Sequence, residues 1–323
     1  MSLDAEHRKF LYKIAQAYYD DGLPQREIAK RFGVSRIKIS RLLQQARDEK
    51  IVQIAIVPPG DSHADLERRL EKRYGLLEAI IVTPDSYDQP TVISALGPAA
   101  ANNLVRCLEG NEIVGLSWGS TLRAVIDSLP TMNWSELTVV QLLGGLGRPE
   151  AEIHGTDLAR RMAQSFNSKL RLLSAPGVVK STMVRDALLE DPQIADTLSL
   201  AAQADVVLLG IGIPLQGSVV SQANILSLNE ISQLIQAGAV GDVALRFFDK
   251  DGHCIEHEVN DRIIGLTLQQ ISQIPRRIGV AGGEGKLEVI RAALLGKLVN
   301  VLITDDQTAK ALLDTPSKDY THG

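Results

Sequence analysis

The chain has 323 residues, 45% of them hydrophobic and 23% charged, with a formal net charge of −5. That length exceeds one ordinary core and predicts about two domains, and the composition excludes long disorder. No apolar run reaches the roughly 18–20 residues that span a bilayer, the start MSLDAEHRKF lacks a signal-peptide core, and Cys107 and Cys254 give neither a disulfide framework nor metal-ligand spacing. The expectation is a cytoplasmic protein with no membrane partner, no metal and no cofactor.

The charge is uneven. Residues 1–57 hold 11 basic and 7 acidic residues, and the remainder 23 and 32. A basic head on an acidic body suits a nucleic-acid reader joined to a ligand-sensing domain.

In chain order, Phe10-Leu11, Ile14-Ala15 and Tyr18-Tyr19 recur at helical spacing, and that helix ends at Asp20-Asp21-Gly22. Pro24 opens a second helix over 25–32, which Gly33 breaks. Ser35 is an N-cap for a third helix reaching about Glu49. In it Ile39, Leu42, Leu43 and Ala46 lie at i, i+3, i+4, i+7 and form a core face. Ser35, Arg36, Ile37, Lys38, Ser40 and Arg41 lie off that face. The pattern predicts a helix-turn-helix for double-stranded operator DNA, in which the helix that starts at Ser35 enters the major groove by its N-terminal end. Arg36 and Arg41 suit guanine edges or phosphates, Lys38 a phosphate, and Ile37 a thymine methyl. A trihelical bundle with a merely solvated basic face is the competing reading.

Ile51–Val57 (IVQIAIV) alternates and reads as a strand closed by Pro58-Pro59-Gly60. The predicted division is a DNA-binding domain over 1–57, a linker over 58–64, a ligand-binding and oligomerisation domain over 65–315 and a tail over 316–323. An amphipathic helix is predicted over 64–74. Beyond it come short runs apolar on both faces, at 79–82, 113–118, 137–143, 206–212, 278–283 and 299–304. Helical stretches separate most of them, which predicts a doubly wound, mostly parallel sheet covered on both sides.

Four of these runs end in glycine-rich loops. Ser117, Gly119, Ser120 and Thr121 lie between a strand and a helical stretch, where backbone N–H groups and hydroxyls can hold an anion. A plain strand-to-helix turn is the alternative there. Ala281–Lys286 (AGGEGK) ends in a lysine able to pair with a phosphate, or simply exposed on a flexible turn. Leu143–Gly147, with Gly144 and Gly145, and Gly210–Gly212 complete the set. Ligands of open parallel sheets bind beyond the carboxyl ends of the strands, so these loops are expected to converge on one pocket.

The segment IAQAYYDDGLPQREIAKRFGVSRIKISRLLQQARDEKIVQI, followed by GLSWGST, LLGGLG, LLGIG, AVGDVALRFFDKDG, NDRIIGL, VAGGEGK and NVLITD, resembles the SorC family of sugar-responsive regulators over nearly the whole chain. The resemblance implies an α/β body like ribose-5-phosphate isomerases and glucosamine-6-phosphate deaminases. It also implies a phosphorylated sugar or polyol as effector, contacted by Ser117–Thr121 and Lys286. Asp242, and more weakly Asn260 and Asp261, would bond sugar hydroxyls, with Asp242 at the end away from the phosphate. A dimer or tetramer is expected to read a pseudo-palindromic operator.

A sugar-phosphate isomerase or deaminase with an accessory DNA-binding head is the alternative. None of the six histidines sits in the glycine loops, whereas Asp242 and Glu284 could act as bases. Some relatives carry an imine-forming lysine in the LxGG segment. Here that place is Leu143, so binding is expected to be non-covalent.

Overall fold

The computed structural model describes residues 3–54, 62–145, 155–214 and 225–314, which divide between Ser62 and His63 into two compact units.

The first unit is trihelical: α1 (Leu3–Tyr19), α2 (Gln25–Phe32) and α3 (Arg36–Asp48). Leu11, Ile14, Ala17, Ile28, Ala29, Ile39, Leu42, Leu43 and Ala46 are its buried core. Gly33 ends α2 at φ 68°, a left-handed turn that only glycine adopts without a Cβ penalty, and its N–H closes on the Ala29 carbonyl. The Ser35 side chain caps α3 by accepting from the Lys38 N–H.

The strand expected over 51–57 is not found at 51–54, and 55–57 lie outside the described residues. Lys50 takes φ 57°, and both Ile51 and Val52 donate their N–H to the Ala46 carbonyl. Two consecutive apolar residues then pack against the helical core, a use that alternation cannot distinguish from a strand.

The second unit begins with α4 (Ala64–Tyr74) and β1 (Glu78–Val82), followed by α5 (Gln89–Arg106), β2 (Ile113–Leu116), α6 (Ser120–Asp127), β3 (Thr138–Gln141), α7 (Gly155–Phe166) and β4 (Lys169–Arg171). Next come α8 (Thr182–Leu189), α9 (Pro192–Ala202), β5 (Val206–Gly212), α10 (Leu228–Gln236), β6 (Gly241–Val243), β7 (Arg246–Phe248), α11 (Glu258–Asp261) and α12 (Leu268–Gln273). The unit closes with β8 (Arg276–Val280), a 3-10 turn (Glu284–Lys286), α13 (Leu287–Leu295), β9 (Val301–Asp305) and α14 (Asp306–Asp314).

The main sheet runs β1-β9-β8-β5-β2-β3-β4 with every pairing parallel, and β6 and β7 add a small antiparallel hairpin beside β5. Successive strand residues alternate between two cores. Val206 and Leu208 pack with α5, α6 and α7, while Val207, Leu209 and Ile211 pack with α9, α10, α12, α13 and α14. Burial on both faces explains why the predicted runs are apolar without alternation. The chain leaves β2 for β3 in one direction and β5 for β8 in the other. The crevice beyond the carboxyl ends of β2 and β5 is therefore a topological switch point.

Candidate nucleic-acid interface and ligand site

In the first unit the core face of α3 is buried, and Ser35, Arg36, Ile37, Lys38, Ser40 and Arg41 are all exposed. Ile37 is 69% exposed, an apolar side chain with no intramolecular use. Arg36, Lys38 and Arg41 form no ion pair among the described residues. Arg47, in the last turn of α3, is held by Tyr19 Oη and Gln44 Oε1. The free basic groups are thus confined to the N-terminal two turns of the helix.

In the second unit the loop after β2 lies against β5, since the Ser117 N–H donates to the Leu208 carbonyl. Ser117 and Thr121 are buried and Ser120 half-buried. Gly119, at φ 128°, precedes α6 without a side-chain cap, and the first helical bond is Arg123 N–H to the Gly119 carbonyl. The leading N–H groups of α6 therefore accompany two hydroxyls at the switch point.

Two charged groups border the end of β5. Lys286 Nζ donates to the Ile211 carbonyl at 2.6 Å. Asp242 sits opposite Gly212 in the β5–β6 pairing, and a Cβ on Gly212 would lie 2.1 Å from Asp242 Oδ1, so any side chain there would displace the carboxylate. Burial pushes the Asp242 carboxyl up to about 6, against the Leu245 N–H and the Lys286 charge, which favour the carboxylate. Burial lowers the Lys286 ammonium, and Asp242 opposes that shift. Asp242 was expected at the far end of the effector from the phosphate group's lysine. Instead the two lie against adjacent residues of β5 and feel each other's charge.

The β6–β7 hairpin places Asp242. Its two-residue turn, Ala244-Leu245, has φ 50° and 62°, a left-handed conformation that costs non-glycine residues. Asp242 Oδ2 accepts the Leu245 N–H at 3.1 Å and holds that turn. Arg246 anchors the hairpin by donating to the carbonyls of Leu266, Asn260 and Gly265. Burial lowers this guanidinium to about 10. Asp242 Oδ1 accepts no hydrogen bond from the described residues and remains an open acceptor.

Other expected residues do not join this site. Gly144 N–H donates to the Ile264 carbonyl and Gly145 N–H to the Ala175 carbonyl, so both amides are used within the fold. Leu146 and Gly147 lie outside the described residues. Asn260 is buried with its amide bonded to both backbone groups of Phe247 and to the Ile255 carbonyl, which leaves nothing for a sugar. Asp261 is exposed, as is Glu284. Leu143 is buried.

Two supporting residues escaped the sequence reading. Buried Asp305 accepts from the Gly283 N–H at 2.7 Å and from the Thr308 N–H and hydroxyl, fixing the AGGEGK loop. Gln89 Nε2 donates to the Gly282 carbonyl. An acid closing an apolar strand three residues before a threonine was the available signal for Asp305. A separate cavity of about 420 Å³, lined by Val178, Val179, Lys180, Val184, Glu230 and Arg262 among others, contains none of the expected residues.

The family model described as "Putative sugar-binding domain" matches residues 60–314, and that for "Sigma-70, region 4" matches residues 2–49. The deoxyribonucleoside regulator of Bacillus subtilis is 31% identical over 312 residues, covering 97% of this chain and 99% of that protein. The sorbitol operon regulator of Klebsiella pneumoniae is 30% identical over 307 residues, covering 94% of this chain and 98% of that protein. The crystal structure of that full-length regulator, SorC, superposes with a TM-score of 0.73 at 30% identity, over 94% of this chain and 98% of the other.

Proposed function

The chain belongs to the SorC family of transcriptional regulators, and on that premise we propose that it reads the operator of a carbohydrate-utilisation operon under control of a small phosphorylated sugar or polyol. The observation that carries the reading is the capped helix α3, whose exposed Arg36, Ile37, Lys38 and Arg41 have no task within the fold. Arg36 and Arg41 address base edges or phosphates, and Ile37 a thymine methyl.

The effector's phosphate is assigned to the Ser117–Thr121 loop and the Lys286 ammonium, because a dianion needs N–H donors, hydroxyls and a cation. The open Oδ1 of Asp242 accepts from a hydroxyl close to that phosphate. No imine can form at Leu143, so non-covalent binding is expected there. A dimer or tetramer in the cytoplasm, reading a pseudo-palindromic site, completes the reading, since one small helix-turn-helix supplies little contact area.

The test is operator affinity at moderate salt, using DNA from upstream of the protein's own operon. Replacing Arg36 or Arg41 by Ala should cost about 1–3 kcal/mol where the contact is to a base. Unchanged affinity in the double variant would refute the assignment of α3 as reader.

A further inference from the structure

Helix α4 carries seven charges in eleven residues, ADLERRLEKRY. Two of its acids are taken by the sheet. β1 is the edge strand of the seven parallel strands, and its outward N–H groups have no neighbouring strand to accept them. Glu71 Oε1 accepts the Ala79 N–H, and Glu67 Oε1 accepts the Ile81 N–H, each at 3.0 Å. Leu70 is fully buried beneath the same face, and Tyr74 bonds the Leu312 carbonyl.

The opposite face keeps the bases. Asp65, Arg68, Arg69 and Lys72 stand at i, i+3, i+4 and i+7, which is one side of a helix, and all four are exposed. Arg68, Arg69 and Lys72 have no ion-pair partner among the described residues. Asp65, at the N-terminal end, is the one acid on that face and lies within 4 Å of none of them. Lys72 stands i+4 from Arg68 and i+3 from Arg69, and each of these like-charge pairs repels by a few tenths of a kcal/mol. They stand on a body whose overall balance is acidic.

Eleven residues, 53–63, separate Val52, the last residue packed on the head's core, from Ala64. A chain of that length can reach at most about 40 Å, about one turn of B-DNA. A duplex held by α3 is therefore presented to α4 at high effective concentration. Its phosphates supply a dense line of negative charge that suits unpaired basic side chains.

We propose that Arg68, Arg69 and Lys72 form a second DNA contact, on the body, that binds the phosphate backbone beside the segment read by α3. The inference rests on the reading of this chain as a DNA-binding regulator. The contact is independent of sequence and adds affinity and register rather than specificity.

The test uses the full chain and a 40-base-pair duplex of arbitrary sequence, so no operator needs to be known. Binding is measured between low and moderate salt. For the wild type, log K falls with log salt at about 0.9 per phosphate contact. The R68A/R69A/K72A variant should lose up to about 2–3 from that slope, and R68K/R69K should keep it. R36A/R41A should lower the slope through the head alone. Equal slopes for wild type and R68A/R69A/K72A, with R36A/R41A still lowered, overturn the α4 contact and leave the α3 reading standing. A wild type that binds no duplex overturns both. A changed particle mass with an unchanged slope in R68A/R69A/K72A assigns the face to an interface between copies and overturns the contact.

Discussion

At the scale of single residues, Asp242 concentrates opposing demands. It is buried, it holds a strained turn through Leu245, and its carboxyl is raised to about 6. A carboxyl whose folded value lies above its unfolded value binds its proton more tightly in the native state. Its contribution to stability is full below about pH 4 and is lost as pH rises through about 6. At pH 7.5 the unliganded protein therefore carries a buried charge at a cost on the order of 1–3 kcal/mol. Asp242→Asn removes the charge while its amide oxygen can still accept the Leu245 N–H. The expected result is a higher melting temperature at pH 7.5, with the gain shrinking towards pH 4.5. Calorimetry with a matched sugar and sugar phosphate should show both weakened in the same variant. Lys286→Ala should weaken the sugar phosphate strongly and the free sugar little. Equal weakening of both by Lys286→Ala would assign the site to a neutral polyol. An unchanged melting temperature for Asp242→Asn at both pH values would remove the buried-charge account.

At the scale of elements, the edge of β1 depends on side chains rather than a neighbouring strand. Glu67→Ala and Glu71→Ala should each cost about 1–3 kcal/mol, because a buried amide loses its acceptor. Faster hydrogen exchange at the Ile81 and Ala79 amides respectively is the local readout, and unaltered exchange there would mean that water serves equally well. The same scale explains what the sequence made legible. Strands β5, β8 and β9 were readable because burial on both faces leaves an uninterrupted apolar run. β4 (Lys169–Leu170–Arg171) was not, because an edge strand with two exposed charged residues carries no such signature. β6 and β7 are three residues each and turn through Ala244-Leu245, without the glycine or asparagine that marks a tight hairpin. Glycine loops marked the carboxyl edge of the sheet, but not which amides stay free. Gly144 and Gly145 bond Ile264 and Ala175, partners distant in sequence that only the folded chain brings together.

At the scale of the whole molecule, each unit draws its core from its own residues. The head's cluster lies between Phe10 and Val52, and those of the body between Leu66 and Leu313. The body receives the chain at His63, whose Nε2 is 2.8 Å from the Thr83 hydroxyl just beyond β1. That is the carboxyl edge of the sheet, where the loops proposed for the effector also stand. Tyr87 bonds Asp306, Gln89 bonds Gly282, and Asp305 bonds Gly283, so one hydrogen-bonded row borders both the entry point and the loop that ends in Lys286. We expect ligand ordering at that loop to reach the linker through this row, and a coupling of about 1–3 kcal/mol suffices for a switch. If sensing is complete within the body, residues 63–314 made alone should unfold cooperatively and keep the wild-type affinity for a sugar phosphate. At a hundredfold excess over Kd the ligand should stabilise the fragment by about 2.7 kcal/mol, as it does the full chain. The fragment should bind duplex DNA only through α4, weakly and without sequence preference. A fragment that is molten, or one that folds but binds sugar phosphate more weakly than the full chain, would mean that the head completes the sensing domain rather than receiving its signal.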